Sequence, residues 1–372
     1  MNLPSDTMQE LKQIVAHFDI MGEVVRIEPL GQGLINDTYL VTTTSDTPDY
    51  VLQRVNTDIF TDIDLLQRNI EVVTRHIRSK LEAQGVDDID RRVLSLVRTW
   101  DGLTYCRDDK GKCWRMTLFI PRSHTVDEVN VATSLDAGRA FGDFERMLID
   151  LPVALGETIP DFHNMELRAR QLADAIAANR AGRVSQVRDL LDQLLRHVDS
   201  MCQAERLYRQ GVLPKRICHC DTKVNNMLLD DEGKVLCVID LDTVMPSFVF
   251  SDYGDFLRTA ANEVPEDCER LQDVRFREDI FEAFTTGYIH ATRSFLTDVE
   301  LEMLPFAIQL FPFMQSVRFM TDYLNGDTYY KIKYPDHNLV RARNQLTLYQ
   351  QVADKESVYR FFINTVKERR SM

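Results

Sequence analysis

The sequence predicts an α+β protein with two lobes, the first rich in sheet and the second mostly helical. Strand and turn signals crowd the first 120 residues. Helical periodicity dominates from there to the end. No internal repeat, low-complexity tract or long linker interrupts the 372 residues, enough chain for one large or two ordinary domains. Segregated strands and helices are the mark of α+β architecture, with a crevice between the lobes as the expected ligand site. The change of character at Ile120-Pro121 sets the expected lobes at residues 1–120 and 121–372.

The elements follow in order. Residues 5–18 read as a short helix capped by Ser5 or Asp6. Val24 to Ile27, GQGLINDTYLVTTT and DYVLQRVN read as strand, glycine turn, strand, loop and strand, an antiparallel meander. Ile63, Leu66, Ile70, Val73, Ile77 and Leu81 recur every three or four residues, which predicts a long amphipathic helix. Strands are expected at Val93–Val97, Gly102–Cys106 and Cys113–Phe119, the last two joined by the turn Asp108-Asp109-Lys110-Gly111. Helices are expected over 128–149, 164–180, 185–210, 274–291, 300–325 and 337–369. The only clear strands left are Asn226–Leu229 and Val235–Ile239, with the turn Asp230 to Lys234 between them.

Composition excludes several classes of function. Net charge is -14, so the chain lacks the basic surface that broad nucleic-acid binding requires. An anionic ligand must then be held by local cations, a metal or backbone N–H groups. Seven scattered cysteines with no CxxC fit neither a disulfide framework nor a zinc ribbon. The opening residues carry no apolar h-region, and no apolar run reaches membrane-spanning length. The expectation is a cytoplasmic protein with free thiols.

Residues 217–242, ICHCDTKVNNMLLDDEGKVLCVIDLD, carry the chemistry. His219, Asp221, Lys223, Asn225 and Asn226 fall within eight positions, and Asp240 and Asp242 close the next strand. Asn226 follows Asp221 by five, the register of the protein-kinase catalytic loop. In that register the aspartate orients an attacking hydroxyl and accepts its proton, and the asparagine ligates Mg2+. Asp240 stands where the metal aspartate of DFG would, although DFG itself is absent, and Asp242 is a candidate second metal ligand. Lys223 is placed to reach the transferring phosphoryl group. An Asx-capped polar loop explains the residue types but not this spacing together with the hairpin behind it.

Upstream, Gly31-Gln32-Gly33-Leu34-Ile35-Asn36 lies between two strands and lacks the third glycine and following helix of a dinucleotide fingerprint. It reads either as a plain hairpin or as a loop whose N–H groups approach phosphates. Arg54, late in its strand, is either a surface arginine or a phosphate cation. Glu71 is a candidate helix partner for that cation, or a solvated acid.

With these motifs the sequence resembles the aminoglycoside phosphotransferase and choline kinase superfamily, whose HxDxxxxN and IDxx patterns it carries. Within that group it is most similar to the N-acetylhexosamine 1-kinases. GQGLINDTYLV, VLQRVNTDIF, ETIPDFHN, SDYGDFLR and RFMTDYLNGDTYYK carry the closer match. The resemblance implies a bilobal protein-kinase-like fold, ATP, Mg2+ and phosphorylation of the anomeric hydroxyl of N-acetylglucosamine or N-acetylgalactosamine. It implies Asp221 as base, Asn226 and Asp240 as metal ligands, and Arg54 with Gly31, Gly33 and Asn36 around the nucleotide. It places Phe119 and Ile120 in an adenine-binding hinge, and Asp252 as a brace for the loop around His219. Arg318, Asp322 and Tyr329 are the expected sugar contacts, or else a surface ion pair beside an aromatic. His163 is expected to fix a loop rather than touch sugar. The alternatives are a kinase of an aminoglycoside, choline, homoserine or another sugar, and a nucleotide-binding pseudokinase. Intact Asp221, Asn226 and Asp240 argue against the last.

Overall fold

The main sheet is built early in the chain, and most of the helices come after it. The structure, a computed structural model, describes residues 5–31 and 35–368. In chain order the elements are α1 (Ser5–Val15), β1 (Val24–Pro29), β2 (Asp37–Thr43), β3 (Tyr50–Val55), α2 (Ile63–Ala83), β4 (Leu96–Val97), β5 (Tyr105–Arg107) and β6 (Cys113–Leu118). Then come α3 (Val131–Leu148), α4 (Met165–Ala178), α5 (Arg188–Met201), α6 (Gln203–Arg209), β7 (Arg216–Cys218), β8 (Met227–Leu229), β9 (Val235–Val238) and β10 (Met245–Ser247). The rest is helical: α7 (Phe250–Ala260), α8 (Glu278–Thr292), α9 (Asp298–Glu302), α10 (Leu304–Asn325), α11 (His337–Asp354) and α12 (Glu356–Glu368).

Residues 1–125, 150–159 and 227–244 form one compact unit. Its sheet runs β1-β2-β3-β6-β4 with β5 also on β6, every pairing antiparallel. Strand alternation gives the sheet two different faces. One carries Ile27, Val41, Tyr50, Leu52 and Met116, which bury Leu11, Ile14 and Val15 of α1. The side chains of Ser5 and Asp6, expected to cap α1, lie outside those described. Asp62 caps α2 by accepting the Leu65 N–H. The stripe Leu66, Ile70, Val73 and Ile77 is buried as its spacing predicts. Asn69 on the same helix donates to the carbonyls of Gly156 and Val244. In the β8–β9 hairpin one Asp230 oxygen accepts the N–H groups of Glu232 and Lys234. Asp108 does the same for Lys110 and Lys112 before β6. Both turns were legible as aspartate-glycine clusters.

Residues 126–149, 160–226 and 245–372 form the second unit. Its centre is the contact of α3 with α8. Gly138 and Gly287 permit it: a methyl on either would fall inside van der Waals contact with a backbone carbonyl, of Phe284 and Leu135 respectively. Two strands here escaped the sequence reading, because β7 and β10 are three residues each and pair with one another. So did α7, whose Phe250–Leu257 stretch is buried on every side and therefore shows no polar stripe. Three expected long helices are each broken once, near Cys202, Met303 and Lys355. Among the described residues no helix is long and apolar enough to cross a membrane.

Candidate active site

The catalytic-loop candidates sit in the second unit, on the turn that leaves β7. Asp252, wholly buried near the start of α7, accepts the backbone N–H of His219 at 2.8 Å and of Cys220 at 2.7 Å. The Thr222 hydroxyl donates to the Asp252 carbonyl. His219 is buried between the edges of Phe141 and Phe144. These contacts hold Cys220 at φ +63°, a conformation costly for a side chain with Cβ, and that bend presents Asp221. Cys218 and Cys220 are buried, so they pack around the loop and neither is exposed as a ligand.

Asp221 itself is only partly buried. Lys223 lies 2.6 Å from its carboxylate. The 3-10 turn Val224–Asn226 brings Asn226 back, and its amide nitrogen donates to the Asp221 carbonyl at 2.8 Å. With that nitrogen committed, Asn226 Oδ1 has no internal partner among the described residues. Asn225 instead turns to Asp127.

In the first unit Asp240 follows β9 at φ +60° and starts the 3-10 turn Leu241–Thr243. A carboxylate such as that of Asp240 is a donor type suited to a hard divalent cation. Asp242 is a different case. Arg115 of β6 bonds to one of its oxygens, and the Asn36 amide donates to the other at 2.7 Å. Thr158 donates to the Asp242 carbonyl, and Gln53 accepts from the Arg115 Nε. Asp242 is 3 % exposed with both oxygens used, so its expected role as metal ligand gives way to that of an internal anchor. Asn36 is likewise consumed: its oxygen accepts the Asn56 N–H, so its side chain braces the end of the glycine loop and is not turned toward a nucleotide.

Arg54 is not placed as a phosphate cation. It shares the Tyr50–Leu52 face of β3, pairs with Asp37 and lies over Trp114. The cation on the other face is Arg115, which the sequence reading missed; a charged residue amid Cys113, Trp114 and Met116 was its only signal. Glu71 pairs with Arg75 and Arg98, not with Arg54. Gly31 is exposed at φ +71°, whereas Gly33 lies outside the described residues. Ile120 packs with Leu236 and Cys237. The Phe119 N–H is spent on the Asp49 carbonyl. The Phe119 C=O and the Ile120 N–H have no internal partner among the described residues.

The expected acceptor contacts separate. Arg318 and Asp322 are not paired. Asp322, 5 % exposed, accepts the N–H groups of Thr328, Tyr329 and Tyr330 and the Asn338 amide, so it shapes a loop and leaves no oxygen for a sugar. Tyr329 is 66 % exposed, and Tyr330 takes its place beside Arg318. Arg318 lies over the rings of Phe162 and Tyr330 and bonds to Gln315. Neither Arg318 nor nearby Arg168 has a carboxylate partner among the described residues. Burial, then the charge of Arg318, pulls Arg168 down to about 10. His163 stacks on Phe162 and bonds to Ser251. Burial first, then Arg318, Arg168 and Arg258, hold it well below the ordinary histidine range. It is a neutral, fixed ring, consistent with a loop-fixing role.

Residues 26–293 match the phosphotransferase enzyme family. An aminoglycoside phosphotransferase from Alicyclobacillus acidocaldarius superposes with a TM-score of 0.54 at 13 % identity, covering 96 % of this chain and 95 % of that one. The choline kinase LicA from Streptococcus pneumoniae gives 0.54 at 15 %, covering 95 % and 100 %. A spectinomycin phosphotransferase in complex with ADP and spectinomycin gives 0.53 at 13 %, covering 97 % and 98 %. At these identities the likeness concerns the fold, and the expected kinase-like α+β architecture is the one observed.

Proposed function

The chain belongs to the phosphotransferase enzyme family, and from that premise we propose that it transfers a phosphoryl group from ATP to the anomeric hydroxyl of an N-acetylhexosamine. The supporting observation is the turn from His219 to Asn226. Asp252 fixes its backbone, Asp221 stands partly open beside Lys223, and Asn226 keeps one oxygen uncommitted.

Each residue then has a role. Asp221 orients the acceptor hydroxyl and takes its proton as the oxygen attacks phosphorus. A reducing-sugar hydroxyl is more acidic than an ordinary alcohol, which eases its deprotonation. Lys223 leaves Asp221 for the phosphoryl oxygens as charge gathers on them. Asn226 and Asp240 would hold Mg2+, which when bound offsets the charge of the nucleotide phosphates. The Phe119 carbonyl and Ile120 amide receive adenine, and the backbone around Gly31 is assigned to the phosphates. Asp242 joins Arg115 and Asn36, and none of the three is assigned to a substrate.

Arg318, with Phe162 and Tyr330, takes the acetamido sugar. Two arginines without carboxylate partners oppose a cationic acceptor, which disfavours an aminoglycoside or choline. The spectinomycin phosphotransferase and choline kinase likenesses support the coarser chemistry but not their own substrates for this chain. The test is incubation with ATP, Mg2+ and a panel of N-acetylhexosamines, hexoses and amino alcohols, with product position read by phosphorus NMR. A sugar 1-phosphate is expected; a product phosphorylated only at C6 overturns the assignment.

A further inference from the structure

Directly behind the proposed catalytic loop, Asp252 belongs to a buried group whose other acid, Glu145, has no role so far. Glu145, near the end of α3, is 2 % exposed, and Asp252 and Cys218 are 0 % exposed. One oxygen of each carboxyl and the Cys218 sulfur lie within 4.8 Å of one another. The set has the donor types of a metal site, yet its bonds are already spent. Asp252 uses both oxygens on the His219 and Cys220 N–H groups. The Cys218 thiol donates to the Phe248 carbonyl at 3.3 Å. The Tyr288 hydroxyl donates to Glu145. Other charges facing the group are few. Arg216 is bonded twice to buried Glu300, and His219 lies on the loop itself.

Two carboxylates cannot both stay ionised here, because a buried charge needs a partner and like charges at this distance repel. A single proton resolves the pair, and the bonds say where it sits. Asp252 accepts two N–H groups and must be the anion. Glu145 has only the Tyr288 hydroxyl among the described residues, 3.0 Å from one oxygen and 2.9 Å from the other, and one hydroxyl hydrogen cannot balance a buried anion. Burial, then the charge of Asp252, holds the Glu145 carboxyl well above its ordinary range.

We propose that Glu145 is a positioning residue: as a neutral acid it donates a hydrogen bond to Asp252 and so fixes the carboxylate that shapes the loop bearing Asp221. This rests on the phosphotransfer reading for its functional consequence, but not for its structural one.

The experiment compares parent protein with Glu145→Gln and Glu145→Met. Glutamine keeps a neutral donor and an acceptor; methionine keeps only the volume. Infrared difference spectra of parent minus Glu145→Gln at neutral pH should show the carbonyl band of a protonated acid. Its absence overturns the proposal, whatever the enzyme's substrate. Amide exchange at residues 217–222 should be near parent in Glu145→Gln and faster in Glu145→Met; equal rates in all three overturn it. Where the parent phosphorylates an acceptor, kcat should stay within about two-fold for Glu145→Gln and fall at least ten-fold for Glu145→Met, with the nucleotide KM unchanged. Equal loss in both variants would show that ionised Glu145 is required. A stoichiometric metal in the purified parent, lost in Cys218→Ala, would replace the proton with an ion and end the idea. Failure of phosphotransfer alone leaves the infrared and exchange results to decide.

Discussion

The guanidinium of Arg115 and the carboxylate of Asp242 are bonded to each other with both side chains 4 % exposed. Asn36 holds the other Asp242 oxygen. One partner alone in that setting is an uncompensated buried charge. Arg115→Met should therefore cost about 3–5 kcal/mol of stability, whereas replacing both residues with apolar side chains of similar volume should cost much less. Denaturant unfolding of the two single variants and the double variant gives the comparison. Additive losses would refute the coupling.

Asp221→Asn keeps the size of the side chain and removes the base. Phosphotransfer should fall at least ~100-fold, the lower end of what a positioned general base contributes. Nucleotide affinity should hold within about two-fold, because no nucleotide role is assigned to Asp221. In Asp240→Ala the pattern reverses, with Mg2+-dependent nucleotide binding lost first. Turnover near the parent level in Asp221→Asn would remove that residue from the chemistry.

What could be read in the sequence follows from the range of the interactions. Periodicity found α2, and aspartate-glycine turns found both hairpins, because those signals are local. The register of Asp221 and Asn226 was legible because one short turn joins them. Asp242 and Arg54 were misjudged for one reason. Their partners, Arg115 and Asp37, are set by strand register and packing, and a sequence shows which residues share a strand face but not which face holds the site. Asp322, a helical turn from Arg318, was expected to hold the sugar with it, or else to form a surface pair. It faces instead the N–H groups of the loop that follows its own helix, a bond pattern without a sequence signature. Glu145 and Tyr288 meet only because Gly138 and Gly287 let two distant helices touch.

The acceptor region gives a contrast between neighbours on one helix. Arg318→Ala should raise the acceptor KM by about ten-fold, the worth of one charge-assisted hydrogen bond, with thermal stability nearly unchanged. Asp322→Ala should do the opposite. It strands three N–H groups and the Asn338 amide, so about 3 kcal/mol or more of stability should go, since each buried donor left unmade costs roughly 1–3 kcal/mol. Tyr329→Ala should be close to silent in both assays, given the exposure of its ring. Equal effects of the two helix variants on KM would contradict the division of roles.

Gly287→Ala tests the packing behind the loop. The added methyl meets the Leu135 carbonyl, which is backbone and has little room to yield. A loss of roughly 1–3 kcal/mol is expected, as for other overpacked cores. Because α8 carries Tyr288 against Glu145, catalysis should weaken as well. Gly182→Ala is the comparison: open space surrounds it, and only its φ of +69° opposes the change. It should lose stability without touching turnover.

His163 sets an acid limit to stability. Its folded pKa lies well below the model-compound value of 6.5 that applies in the unfolded chain. Between the two values the unfolded state carries a proton that the folded state refuses, so stability falls as pH falls. The contribution is complete above pH 6.5 and declines below it, with a slope of at most about 1.4 kcal/mol per pH unit. The decline stops once the folded-state value is reached. His163→Asn keeps a polar atom near Ser251 but cannot titrate. It should be less stable at neutral pH, because the stacking on Phe162 is gone, and its stability should depend less on pH between 6.5 and 5. Unfolding midpoints of the two proteins across that range make the measurement. Parallel curves would mean that His163 takes up its proton as readily in the fold as outside it.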